Sequence, residues 1–155
     1  MDWLYELITN RFLITGVASW FVAQVLKTII HAIINKKLVL ERLFGDGGMP
    51  SGHSATVTAL ATISALTFGF DSFEFAVTGI LAIIVCHDAM GVRLETGKQA
   101  VAINELLEVF ELIHPNKISE ANLKEFVGHT PIQVIAGILL GIVNACVMHF
   151  FIIPV

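Results

Sequence analysis

Between Pro131 and Ile153 the chain carries no aspartate, glutamate, lysine or arginine. About 20 such residues cross a hydrocarbon core as a helix, because a helix satisfies all of its own backbone N–H and C=O groups there. Three more runs share the character. Phe12–Ile34 is apolar apart from Gln24, Lys27, His31 and a few hydroxyls. Ser54–Phe70 and Phe73–Cys86 are shorter, and reach spanning length only if their helices continue past the apolar residues. Gly69-Phe70-Asp71-Ser72 links these two as an antiparallel hairpin. The expected fold is all-α: a single membrane domain over 1–155, a bundle of four transmembrane helices near 12–34, 52–70, 73–91 and 131–153.

Composition agrees. The 155 residues are 55% hydrophobic and 14% charged, with mean hydropathy +0.80. A soluble domain is about a quarter charged, so this chain could not cover its own surface with polar groups. A net charge of −4 and a pI near 5.8 leave no basic patch, so no nucleic-acid partner is expected. Cys86 and Cys146 lie inside apolar runs without ligand spacing and read as packing residues. The N-terminus lacks the basic region and cleavage site of a signal peptide.

Between the third and fourth spans, 92–128 reads as an amphipathic segment. Ile103, Leu106, Leu107, Phe110 and Ile113 fall at helical spacing, with Asn104, Glu105, Glu108 and Glu111 opposite. His114-Pro115-Asn116 ends this helix, and Ser119–Phe126 reads as a second short one. Gly137 and Gly141 form a GxxxG pair that permits close helix approach.

Of the nine lysines and arginines, Arg11 alone precedes the first span; the other eight fall on the opposite side of a four-helix arrangement. That side is expected to be cytoplasmic, with both termini outside. The same face collects the polar residues of interest. Lys27 and His31 share one face of the first span. Ser51-Gly52-His53-Ser54 opens the second, where unsatisfied N–H groups and the dipole favour an anion; a plainly capped helix start is the alternative on these residues alone. His87, Asp88, Arg93 and Lys98 follow the third span, and His129 precedes the fourth. Two histidines, several cations and a helix N-terminus on one membrane face suit a phosphorylated amphiphile. One histidine would attack phosphorus and the other protonate the leaving oxygen. Asp88 alone is too little for a metal site, so no metal and no cofactor are expected.

The segments AQVLK, GGMPSGHSA, DAMGVR, GKQA and GHTPIQV, in this order, resemble the divergent PAP2 family of small membrane proteins. These are distant relatives of type 2 phosphatidic acid phosphatases and vanadium haloperoxidases. The resemblance implies Lys27 as phosphate binder, Ser51 and Gly52 as phosphate contacts, His53 as general acid and His129 as the nucleophile of a phosphohistidine intermediate. The chain departs from the superfamily pattern at several points. An Arg-Pro pair is replaced by Ile34-Asn35, with Lys36 and Lys37 just beyond. An arginine before the nucleophile is replaced by Leu123, beside Lys124. The aspartate after it is replaced by Gln133, which can orient the imidazole but supplies no charge. Arg93 and Lys98 are expected to stand in for the missing arginines, with His31 and Asp88 in support. With fewer spans than many lipid phosphatases, a homodimer is one way to enclose the site. The expected activity is cytoplasmic-face hydrolysis of a lipid phosphomonoester, such as phosphatidylglycerophosphate. The alternative is a non-catalytic phospholipid-binding or transport-related protein that keeps the anion pocket.

Overall fold

The computed structural model describes residues 2–37, 48–113, 123 and 128–153. Among these residues six α-helices run in order: α1 (Asp2–Ile8), α2 (Arg11–Asn35), α3 (Gly52–Phe68), α4 (Phe73–Met90), α5 (Val92–Ile113) and α6 (Pro131–Val147). A π-helical turn, Met148–Ile152, extends α6. Among the described residues there is no strand. The helix boundaries follow from local chemistry. Asn10 caps α2, its Oδ1 accepting from the N–H groups of Phe12 and Leu13 at 3.0 and 3.2 Å. Lys36 ends α2 in the left-handed region. Between α3 and α4, Ser72 Oγ accepts from Phe75 N–H at 3.2 Å and donates to Gly69 O at 2.7 Å. Pro131 occupies the first turn of α6, where its missing N–H costs nothing. The exposed helix α1 was not anticipated from the sequence.

Among the described residues, three stretches are long and apolar enough to cross a membrane: Arg11–Asn35, Phe73–Phe110 and Pro131–Ile152. The second runs from α4 through Gly91 into α5. The helix α3 has 17 residues, about 25 Å at 1.5 Å per residue and so short of a core about 30 Å thick. It is the central helix, packed against α2, α4 and α6. Its buried residues include Ala55, Ala59, Ala61, Ser64 and Ala65, small side chains that let three neighbours close around it. Large apolar side chains point away from this axis. Val77, Ile80, Ile83 and Ile84 of α4, and Ile135, Leu139 and Val143 of α6, are exposed, as suits helices solvated by lipid tails rather than water.

The closest packing is between α3 and α6. A Cβ built on Gly137 would lie 2.5 Å from Ser51 O, and one on Gly141 would lie 2.5 Å from Ala55 O. Residue numbers rise together along both helices, so they run parallel. The GxxxG pair therefore serves a contact inside the chain. Farther along, Ala59, Ile63 and Ala145 form a buried cluster, with Phe12 and Leu60 packed against it.

The helix α5 begins immediately after the break at Gly91 and covers the first part of the expected amphipathic segment. Leu106, Phe110 and Ile113 on its apolar side are exposed, so the bundle does not cover this face. Asn104 brackets Leu123, donating from Nδ2 to its carbonyl at 3.0 Å and accepting from its N–H at Oδ1 at 3.1 Å. The expected break at His114-Pro115-Asn116 and the short helix Ser119–Phe126 lie outside the described residues, Leu123 excepted.

Two alanine substitutions separate close packing from helix propensity. Gly141→Ala places a methyl against backbone and should cost about 1–3 kcal/mol. At Gly79 a Cβ would meet only the Phe75 ring, at 3.9 Å. Gly79→Ala should therefore stabilise by about 0.5–1 kcal/mol through helix propensity. Thermal unfolding of both variants in one detergent checks the contrast.

Candidate functional site at the helix entrances

The first turn of α3 is tied to the first turn of α6. Ser51 N–H donates to Gln133 O at 3.0 Å. Ser51 Oγ accepts from Ser54 N–H at 3.3 Å and from Ser54 Oγ at 3.0 Å, and both serines are fully buried. Ser51 thus fills the capping role that its local sequence left open, and its hydroxyl is turned to Ser54. Gly52 sits against α2. A Cβ there would lie 3.4 Å from Trp20 Cδ1 and 3.7 Å from Gln24 Nε2. The entrance of α3 consequently meets α2 near its middle, at Trp20 and Gln24. Lys27 follows one turn on and is 4% exposed. Its stem packs beneath Gly48, where a Cβ would lie 3.2 Å from Lys27 Cγ. His31, a further turn along, is half-buried, and its Nδ1 has no hydrogen-bond partner among the described residues.

His129 is set by the backbone on either side of it. Gly128 has φ +90°, and a Cβ on it would lie 2.4 Å from Leu94 N and 2.5 Å from the Arg93 carbonyl carbon. Only glycine fits so close to the first turn of α5. The His129 N–H donates to Ala89 O, near the end of α4, at 3.0 Å. The residue is 2% exposed. Its Nδ1 lies 3.4 Å from Gln133 Oε1, which also accepts from Thr130 N–H at 3.1 Å. An N–H on Nδ1 pointed at this oxygen leaves Nε2 as the ring's lone-pair nitrogen. The imidazoles of His53 and His129 are neighbours, with centroids 6.1 Å apart and planes tilted at 59°.

The remaining expected residues divide. Arg93 lies beside Gly128 through its backbone, and its Nε donates to Asp88 Oδ2 at 2.8 Å. Both side chains are about two-fifths exposed, at 44% and 41%. Asp88 thus meets Arg93, and it is the carbonyl of the next residue that meets His129. Lys98 is turned to Glu95 at 2.6 Å on the exposed surface of α5 and is not part of the cluster. Three participants escaped the sequence reading: Gln24, Gly128 and the Ala89 carbonyl. Gln24 carried a readable signal, because it stands three residues before Lys27 and so shares its helix face.

Chemically, the junction joins two imidazoles, the N-termini of α3, α5 and α6 and a lysine on α2. Helix N-termini attract anions, and imidazoles transfer protons or attack electrophiles near neutral pH. Fold and junction together define a helical membrane protein with a histidine pair at convergent helix entrances. The chain belongs to the divergent PAP2 family, which it matches over residues 8–144. It is similar to the uncharacterized membrane protein YuiD of Bacillus subtilis (strain 168), at 42% identity over 155 residues, covering 94% of this chain and 98% of that protein. No solved structure matches it significantly.

Gly128→Ala tests how His129 is held. A methyl at φ +90° meets both left-handed strain of about 1–2 kcal/mol and the α5 backbone. The variant should melt earlier, and its buried His129 should react faster with diethylpyrocarbonate, read by peptide mass spectrometry.

Proposed function

We propose that the protein is a membrane lipid phosphatase that hydrolyses a phosphomonoester through a phosphohistidine. The observation that carries this reading is the neighbouring pair, His53 in the first turn of α3 and His129 just before α6, at a centroid distance of 6.1 Å. A phosphoryl group held at the mouth of the pair, in reach of one nitrogen of each ring, would meet a nucleophile on one side and a proton donor on the other. The lone pair of His129 Nε2 attacks phosphorus. The bond to the lipid oxygen breaks, and that oxygen leaves with the electron pair and takes the proton of the His53 imidazolium. Neutral His53 then removes a proton from water as the water oxygen attacks phosphorus. The P–N bond breaks, the pair returns to His129, and inorganic phosphate departs. Gln133 holds the His129 tautomer. Lys27 and the Gly52 end of α3 hold phosphate oxygens, and Arg93 lends charge beside Gly128.

The surroundings of His53 support an amphiphilic substrate. A groove of about 350 Å³ between α2, α3 and α4 is lined by Val17, Trp20, Thr56, Val57, Val85 and His53. The Thr56 hydroxyl is spent on Gly52 O at 2.8 Å, so the groove offers an apolar bed with the His53 ring as part of its wall. In this reading α3 is a fourth, short crossing helix shielded by its three neighbours. The Lys/Arg bias puts the site at the cytoplasmic face with both termini outside. The substrate is then an inner-leaflet lipid phosphate, for which phosphatidylglycerophosphate is the proposed example. One observation favours the non-catalytic reading, in which the site binds phospholipid without turnover: the group facing His129 Nδ1 is a neutral amide.

Phosphate release from a panel of lipid phosphates by purified protein separates the two readings. The phosphatase should release phosphate and be inhibited by vanadate. His129→Ala should abolish the activity, and His53→Ala should harm an alkyl ester more than an aryl ester, whose leaving group needs less protonation. Full activity in His129→Ala would overturn the mechanism. Gln133→Ala should lower kcat more than it raises KM. For orientation, Ser72→Cys should label from outside intact cells and Asn116→Cys only after permeabilisation.

A further inference from the structure

Gln24 is a buried polar group that this chemistry leaves unused. Its side chain is on the α2 face that carries Lys27, and it is 7% exposed. Its Nε2 end abuts the first turn of α3 at Gly52. Its Oε1 is buried and accepts no hydrogen bond from any described residue. The neighbouring Thr28 hydroxyl donates instead to the Gln24 backbone carbonyl, at 2.9 Å. A buried amide oxygen left unsatisfied costs about 1–3 kcal/mol. An unbranched apolar side chain of similar size, such as methionine, would fill the same space without that cost. Packing therefore gives no reason for glutamine here, and the α3 entrance beside it is where an anionic head would be held.

We propose that Gln24 is a headgroup-binding residue whose Oε1 accepts a hydrogen bond from a hydroxyl of the bound phosphate-bearing head. The assignment rests on the phospholipid-site reading above and deepens it. Lys27 and the helix N-termini offer donors and positive charge, so they recognise phosphate oxygens. None of them recognises a donor. An acceptor among donors selects a head that carries both phosphate oxygens and an O–H. That O–H has two sources: the P–OH of a singly protonated phosphate, or an alcohol on a polyol head. Because a site built to bond a hydroxyl leaves its own acceptor unpaired when the hydroxyl is missing, Gln24 discriminates against heads that lack one.

The test pairs stability with binding in the detergent-solubilised full chain. Ligand-free Gln24→Met should melt at or above the wild-type temperature, since the substitution removes an orphaned oxygen. Its affinity for lipid phosphate, read from ligand-induced melting shifts that need no turnover, should fall about tenfold. An equal fall for phosphatidic acid, phosphatidylglycerophosphate and inorganic phosphate assigns the P–OH. A fall confined to phosphatidylglycerophosphate assigns the headgroup alcohol. Gln24→Met that melts lower in the absence of ligand, or that binds all three as the wild type does, overturns the proposal. Wild-type protein that binds these lipids through Gln24 yet releases no phosphate would overturn the catalytic reading and leave this assignment standing.

Discussion

Backbone against backbone, where Gly137 and Gly141 of α6 press on the carbonyls of Ser51 and Ala55, is the contact on which the site depends. Lipid tails are as apolar as leucine, so helices in a bilayer gain little by hiding apolar surface from one another and associate through close van der Waals contact. Two glycines one turn apart supply that closeness, and the Ser51 N–H to Gln133 carbonyl bond adds a directional lock at the helix ends. The two N-termini are thereby held level. Since His53 is the second residue of α3 and His129 sits just before α6, level N-termini mean adjacent imidazoles. A slip of one turn between these helices, about 5.4 Å, would be nearly the whole centroid separation of 6.1 Å.

The same geometry gathers positive potential where a membrane helix would ordinarily avoid polarity. Each helix N-terminus carries roughly half an elementary positive charge, and those of α3 and α6 meet beside His129, while the start of α5 near Gly128 adjoins the C-terminal end of α4 and its opposite charge. Lys27, 4% exposed on α2, lies across the α3 entrance. On insertion scales a lysine within an apolar helix costs about 2.5–3.5 kcal/mol; in the proposed function a bound anion would offset part of that cost. The exposed Arg93–Asp88 and Lys98–Glu95 pairs are of a different kind. Surface pairs of this sort contribute about 0–1 kcal/mol, and in Lys98 the charge is already matched away from the histidines.

How far the sequence discloses this depends on the range of the interactions. Apolar runs announced α2, α4 and α6, because lipid solvation is a property of each helix alone. The short link Gly69-Phe70-Asp71-Ser72 announced the hairpin. The central position of α3 was not legible, since it comes from three neighbours closing around alanines and serines, and a run of moderate hydropathy looks the same at the rim or the centre. Both histidines stood out in their motifs, but their juxtaposition comes from the packing of α3 on α6. Lys98 was expected in the site on its charge alone, although Glu95 at i−3 already offered it a local partner. Gly128 could not be weighed from sequence, because its necessity lies in a positive φ and in a contact with Arg93 and Leu94 across a long connection.

Gln133 shows why the departure from aspartate need not be a simple loss. Its backbone carbonyl takes the Ser51 N–H, and its Oε1 serves both the Thr130 N–H at 3.1 Å and the His129 ring at 3.4 Å. The Thr130 bond is the return half of a capping box, a duty for which glutamine and glutamate at the third helical position have the right reach. An aspartate, one methylene shorter, would have to give up either the cap or the imidazole. Gln133 therefore couples the fold of α6 to the tautomer of His129 in one side chain. The coupling has an electrostatic consequence. A carboxylate here would stabilise an imidazolium but would also set negative charge against an incoming phosphate at a junction built from helix N-termini. In the proposed phosphatase the amide would keep the orientation and spare the phosphate that repulsion, so the exchange would trade charge stabilisation on the histidine for attraction of the ligand.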